Sequence, residues 1–359
     1  MTELTSALTT RWTWIASRWV AAAVTTLIVV ALTSLLWRRP HFGPDFLVFW
    51  TAAQLPIGAV YVFKVIPGHP LPLVYPPTFL LLLQAFSGIS AAASYLIWVG
   101  ASTFAFVAAA ASVARRWAPL VMLAPPVVFA AVTGETSLLI GAALLGGLAN
   151  LSSRPLLAGL LCGVALSLKP QAAFLLPVGL LAVGQWRALA ATLATGAALC
   201  LAAAIAFGPS IWLTWLRILP AFMAFEANAK LETVALAPHA TPWLRLALVA
   251  AGCGLTWWAF RRDDLAMRLI AVVGASMLAA PHAMAYDAAM MAPCALGLLL
   301  RRSWARIPAA AFCLGAATNP AALLAFVVLT GTGLLQRLDR VVPFPSLSLP
   351  SLKPRDEAR

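Results

Sequence analysis

The chemistry in this sequence starts from one carboxylate. Asp45 stands in His41-Phe42-Gly43-Pro44-Asp45-Phe46-Leu47-Val48-Phe49-Trp50, just past the first long apolar run. A charge at a membrane boundary is costly to place. Desolvation beside Phe46, Phe49 and Trp50 should raise its pKa and poise it as a general base near neutral pH. The structural alternative is a charge set against the dipole at the start of a helix over 46–54. Two further polar breaks interrupt apolar runs, Gly134-Glu135-Thr136 and Leu168-Lys169-Pro170-Gln171. Ionisable groups at such places mark functional sites by default. Lys169 is a point charge suited to a phosphate; the alternative is a Glu135–Lys169 ion pair that fixes helix order. The fourth stretch is Pro281-His282-Ala283-Met284-Ala285-Tyr286-Asp287. Histidine can relay a proton or face a phosphate. The spacing of His282 and Asp287 fits one helix face poorly, so no shared metal site is expected. The alternative is an interfacial histidine and an aspartate that caps the next helix.

The elements that must position these residues are membrane helices. The 359 residues are 62% hydrophobic and 10% charged, with a mean hydropathy of +0.93. That composition excludes an ordinary soluble domain. No alternating ten-residue segments suggest a barrel, so the class is all-α. The formal charge of +13 is read as topology marking, not as a nucleic-acid footprint. Cys162, Cys200, Cys253, Cys294 and Cys313 fall inside apolar runs, with no disulfide or zinc spacing. There is no Walker loop, no dinucleotide-binding glycine motif in context, no His-Glu-x-x-His and no Ser-His-Asp arrangement. No cofactor and no metal are expected.

In chain order, the run from Trp19 to Leu36 is long enough to span a bilayer and is followed by Arg38-Arg39-Pro40, as in an uncleaved signal anchor. Residues 37–91 form a first outer loop. Within it, Asp45 to Gln54 can form a short amphipathic helix after Pro44, and Tyr75-Pro76-Pro77 heads a short apolar helix to Phe86 that fits the interface. Eleven more candidate spans follow, at about 92–114, 117–132, 136–151, 155–168, 171–184, 188–207, 243–260, 265–280, 284–300, 304–317 and 320–336, about 12 transmembrane helices with the first. A second long outer loop covers 208–242, where Trp212 and Trp215 could stack on a sugar or anchor at the interface. Residues 1–336 make one transmembrane domain, and 337–359, rich in Pro and Ser, a disordered cytoplasmic tail.

Charge selects the topology. With the N-terminus inside and 76–86 not spanning, only Arg38, Arg39, Lys64, Lys169, Arg217, Lys230 and Arg245 of the 24 basic residues fall outside. Asp45, Glu135, Lys169, His282 and Asp287 then share the outer face with all four histidines. A cavity lined by one sign of charge attracts the other, so the outer cations suggest an anionic ligand there.

The ordered set resembles glycosyltransferase family 87, polyprenol-phosphate-mannose-dependent membrane enzymes of the GT-C type. The resemblance is carried by Gly43-Pro44-Asp45-Phe46 leading to Ala52-Ala53, Gly58 and Tyr61; by Tyr75-Pro76-Pro77; by Gly134-Glu135, then Arg154-Pro155-Leu156-Leu157-Ala158-Gly159 to Lys169-Pro170-Gln171 and Trp186-Arg187-Ala188-Leu189; and by Pro281-His282 with Tyr286-Asp287. It covers about residues 40–300. Glu135 stands where the family usually has Gln. The resemblance implies an inverting glycosyltransferase. It moves a sugar, mannose or in related members arabinofuranose, from a polyprenyl-phosphate donor to a lipid or glycan acceptor. It implies a multi-pass protein of the bacterial plasma membrane with its site on the outer face. Asp45 is implied as the base and His282 as a second catalytic group near the donor phosphate. Lys169, Arg38 and Arg39 would hold that phosphate, with Tyr75, Glu135, Gln171, Tyr286 and Asp287 as further substrate contacts. The competing reading is a transporter or flippase for a lipid-linked or anionic solute, and a third is a membrane scaffold.

Overall fold

The computed structural model describes residues 2–37, 43–61, 73–229, 233–262 and 264–344. Among them every regular element is helical and no strand occurs. Arg38 and Arg39, His41, His69, Lys230 and Glu232 lie outside the described residues.

The chain opens with α1 (Thr2–Leu36). Gly43, at φ +66°, turns the backbone into α2 (Pro44–Gln54), whose first position is the proline. A fixed φ suits Pro to that place. The helix expected over Asp45–Gln54 is therefore present and starts one residue earlier, at Pro44. After α3 (Ile57–Val60) comes α4 (Pro77–Leu83), continued by a 3-10 turn over Gln84–Phe86. This is the short apolar helix expected over 76–86. A long α5 (Ala91–Ala114), capped by Ser90, leads through a 3-10 stretch with Pro119 inside it to α6 (Pro125–Thr133) and α7 (Ser137–Ala149). Next are α8 (Pro155–Leu168), α9 (Leu176–Ala182), α10 (Trp186–Phe207) and α11 (Ser210–Ala229). The last third holds α12 (Pro242–Phe260), α13 (Leu265–Ala279), α14 (Ala292–Leu299), α15 (Arg306–Cys313), α16 (Pro320–Gly331) and α17 (Leu334–Val341).

Three expectations change. Twelve spans are not found: among the described residues four helical stretches are long and apolar enough to cross a membrane, Ser17–Leu36, Ala91–Leu123, Trp186–Phe207 and Pro242–Phe260. A fifth arises if α16 and α17, bent by 57°, count as one. The physical reason is that apolar composition reports burial as well as lipid. Helix α13 is apolar apart from Arg268 and Ser276, and nearly all of it is buried in protein. Other runs are cut into short pieces by Pro125, Pro170 and Pro293. The second correction concerns 208–242, which is not a loop. Residues 210–229 form α11, which buries Ile211, Ile218 and Phe222 along one face. At the C-terminus, α17 runs on to Val341, past the point where the sequence starts a tail. Residues from 345 onward lie outside the described set.

Close packing then aims the site residues. Helix α8 lies directly on α10, because Gly159 and Gly163 leave no side chain between them. A Cβ at Gly159 would overlap the Ala188 carbonyl and sit 2.5 Å from Ala191 Cβ, and one at Gly163 would sit 2.6 Å from Thr195 Cβ. Small residues four apart let two helices approach in this way. The approach gives the 154–159 and 186–189 stretches a common structural reason, and it fixes where α8 ends, at Lys169.

Candidate functional site

Four helix ends meet at one place: the start of α2, the α6–α7 turn, the end of α8 and the segment after α13. The first two are locked together. The Gly43 N–H donates to the Val132 carbonyl at 2.8 Å. Gly134, at φ +74°, turns α6 into α7, and a Cβ there would lie 2.5 Å from Phe46 Cβ. Only glycine tolerates both that backbone and that contact. The Gly43-Pro44-Asp45 and Gly134-Glu135 stretches are thus two halves of one contact.

Asp45, Tyr75, Glu135, Lys169, Gln171, His282 and Tyr286 line one cavity of about 60 Å³, with Val48, Phe49, Phe222 and Met284. Seven sequence-predicted site residues, from five separate stretches, therefore share a single wall. Asp287 lies just behind it, bonded to Lys169.

The deep part of this wall is a buried ionic network. Lys169, Glu135 and Asp287 are 3%, 3% and 2% exposed. The Lys169 Nζ donates to Glu135 Oε1 at 2.9 Å and to Asp287 Oδ1 at 2.5 Å. It also stands over the rings of Tyr75 and Tyr286, 5.6 and 5.5 Å from their centroids. Tyr75 donates its hydroxyl to Glu135 Oε1. Glu135 Oε2 accepts from the Thr136 hydroxyl at 3.0 Å and from the Ser137 N–H and hydroxyl at 2.7 and 2.8 Å. The Ser137 hydroxyl also lies 2.9 Å from Asp287 Oδ1. Asp287 Oδ2 takes the Met284 N–H at 2.9 Å and so caps the turn that follows. Buried charges cost several kcal/mol each unless paired and hydrogen-bonded; here all four carboxylate oxygens are satisfied. Burial works to lower the Lys169 pKa, but the charges of Asp287 and Glu135 outweigh it and hold it above its ordinary value. Burial, with the same two carboxylates, pushes the Tyr75 phenol well up, so it stays a donor. Both structural alternatives for these residues, the Glu135–Lys169 pair and the aspartate cap, are therefore present in the geometry.

Asp45 is built differently. It sits in the first turn of α2, and its Oδ2 is buried with no hydrogen-bond partner. Burial pushes its carboxyl up to about 7, and the negative charge of Glu135 adds to the rise; a hydrogen bond from Thr133 and the charge of Lys169 pull the other way. Buried polar groups are nearly always satisfied, so an exception calls for an explanation.

Another part of the wall is held by aromatic packing. Phe49 makes edge contacts with Tyr75 and Phe79, ring centroids 5.1 and 4.9 Å apart. Helix α11 closes the cavity from above: Phe222 meets the His282 ring edge-on at 5.5 Å, and Trp215 Nε1 donates to the Val74 carbonyl at 2.9 Å. Residues 233–236 pair with 278–283 through Val234 N–H to Ala283 O and Leu236 N–H to Leu278 O, both 2.9 Å.

The sequence did not single out Thr133, Ser137, Phe222 or Met284. The string Thr133-Gly134-Glu135-Thr136-Ser137 carries a readable signal, since hydroxyls flank the acid on both sides. Ile211, Ile218 and Phe222 sit at helical spacing and could have placed α11.

The family model of glycosyltransferase family 87 matches residues 73–281. Tyr75, Glu135, Lys169 and Gln171 lie inside the match; Asp45, His282, Tyr286 and Asp287 lie outside it. No curated protein and no solved structure matches the chain.

Proposed function

The chain belongs to glycosyltransferase family 87, and from that premise we propose that it is an inverting enzyme with Asp45 as general base. It is a membrane glycosyltransferase, and the transporter and scaffold readings fall away. In the proposed reaction the donor is a sugar, mannose by preference, carried on a polyprenyl phosphate. The acceptor is a lipid or glycan, and the site faces the outer side of a bacterial plasma membrane.

The observation that carries this reading is the unpartnered Oδ2 of Asp45 on the wall of the shared cavity. Asp45 removes the proton of an acceptor hydroxyl. The oxygen attacks the anomeric carbon from the face opposite the phosphate, and the carbon–oxygen bond to the phosphate breaks. The polyprenyl phosphate leaves with the electron pair, and the new linkage has inverted configuration.

The buried network takes a different role from the one its charges first suggest. Lys169 is committed to two carboxylates, and the three together carry a net negative charge. Such a cluster offers little to a phosphate. It does favour the positive charge that builds on a sugar ring as its leaving group departs. In this reading Lys169 orders Glu135 and Asp287, while the donor phosphate falls to His282 at the cavity mouth and to Arg38 and Arg39. Gln171, Tyr75 and Tyr286 supply contacts to the sugar. The cavity now admits a few waters, so a sugar enters by displacing Phe222 or Met284.

The test is to incubate purified protein with polyprenyl-phosphate mannose, and separately with its arabinofuranose counterpart, plus extracted membrane lipids. Transfer with inverted anomeric configuration supports the reading. Transfer from a nucleotide sugar alone, or with retained configuration, overturns it.

A further inference from the structure

Away from the cavity, an apolar trough of about 540 Å³ runs between α12, α13 and α16, walled by Leu248, Leu255, Leu278, Leu324, Val327 and Val328. It extends along α12 from Leu248 to Trp258, about 15 Å at the rise of a helix. That is half the hydrocarbon thickness of a bilayer, the reach of one acyl chain. Its floor is open at Gly254, where a Cβ would meet nothing within 4 Å.

One end of the trough is basic. Thr332 and Arg337 belong both to the trough and to an adjoining recess lined by Arg261, Arg262 and Arg340. Trp258 stands at this junction. Its ring lies under the guanidinium of Arg262 at 4.4 Å and that of Arg337 at 5.0 Å, and its Nε1 donates to the Thr332 carbonyl at 3.2 Å. The carboxylate in the recess, Asp264, is already engaged by Arg301, Gln336 and the first N–H groups of α13. Among the described residues, Arg262, Arg337 and Arg340 pair with no carboxylate. Cations held on an aromatic face beside an apolar channel complement a ligand with an anionic head and an apolar tail.

We propose that this trough binds an anionic phospholipid, one acyl chain along α12 and the phosphate against Arg262, Arg337 and Arg340. The site is separate from the cavity around Asp45, and the inference does not depend on the proposed sugar transfer.

The test uses the full chain purified in detergent, with bound lipid read by native mass spectrometry. Phosphatidylglycerol and phosphatidylcholine of equal chain length are the probes. Phosphatidylglycerol should bind at least about tenfold tighter, and each of Arg262→Gln and Arg337→Gln should weaken it by about fivefold. Gly254→Phe fills the open floor inside a helix and should reduce binding of both lipids. Equal binding of the two lipids to the wild type would overturn the proposal, as would phosphatidylglycerol binding untouched by Gly254→Phe. Competition by polyprenyl phosphate that disappears in Gly254→Phe would also overturn it, because the trough would then be a groove for the polyprenyl chain.

Discussion

The two sides of the cavity treat their carboxylates in opposite ways. Around Lys169, Glu135 and Asp287 are deeply buried, and each of their oxygens has a partner among Lys169, Tyr75, Thr136, Ser137 and the Met284 N–H. At the α2 side, Asp45 keeps one buried oxygen without a partner. Satisfaction rigidifies a buried polar network, whereas an unsatisfied group stores free energy that a substrate proton can release. The difference teaches that charge within a membrane protein is not one signal. One group of carboxylates is paired in a way that holds shape, and the other keeps a free oxygen where the proposed chemistry needs one.

Substitutions can break or sharpen that contrast. The largest effect is expected from Asp45→Asn. General-base help is worth about 10²–10⁴-fold, so sugar transfer should fall by that factor while thermal unfolding in detergent is unchanged or slightly raised. Lys169→Met should act mainly on stability. It leaves Glu135 and Asp287 buried without their cation, a loss of about 3–5 kcal/mol, read as a lower unfolding midpoint. Ser137→Ala removes the hydroxyl shared by the two carboxylates, and about 1–3 kcal/mol should go with it. The smallest effect is expected from Asp264→Asn, far from the cavity. Asn keeps the cap on α13, so what is lost is the partly exposed pair with Arg301 and the Gln336 contact to the same oxygen, about 0–1 kcal/mol. If Asp264→Asn cost as much as Lys169→Met, burial would not be what separates the two kinds of ion pair.

Much of the site was legible because charges in apolar runs are expensive and must find one another. Asp45, Glu135, Lys169, His282 and Asp287 each interrupt an otherwise apolar stretch, and four of them line the cavity with Asp287 just behind. The glycines at 43 and 134 were visible as motif residues, but the contact between their two stretches was not, since it depends on the left-handed turn at each. Helix α11 was hidden by its mixed composition: Trp212, Arg217 and Pro220 read as a connection, while the buried stripe of Ile211, Ile218 and Phe222 was the truer sign. The count of twelve spans is not confirmed, because a helix buried in protein and one facing lipid have the same composition and length alone separates four or five among the described residues. Thr136 and Ser137 stand beside the acid in the chain, but which oxygen of Glu135 each one serves shows only in the distances.

The most direct test of Asp45 as the base is the pH dependence of sugar transfer by the wild type and by Asp45→Asn. Burial raises this carboxyl from its ordinary value to about 7. A raised carboxyl favours the protonated native state, so its ionisation costs stability as pH rises from about 4 to about 7, and the reactive form accumulates only at the top of that window. Transfer by the wild type should therefore climb through a single-proton step near pH 7 and level off above it, and Asp45→Asn should be slow with no step. The same step surviving in Asp45→Asn, or wild-type turnover in that variant, would contradict the assignment.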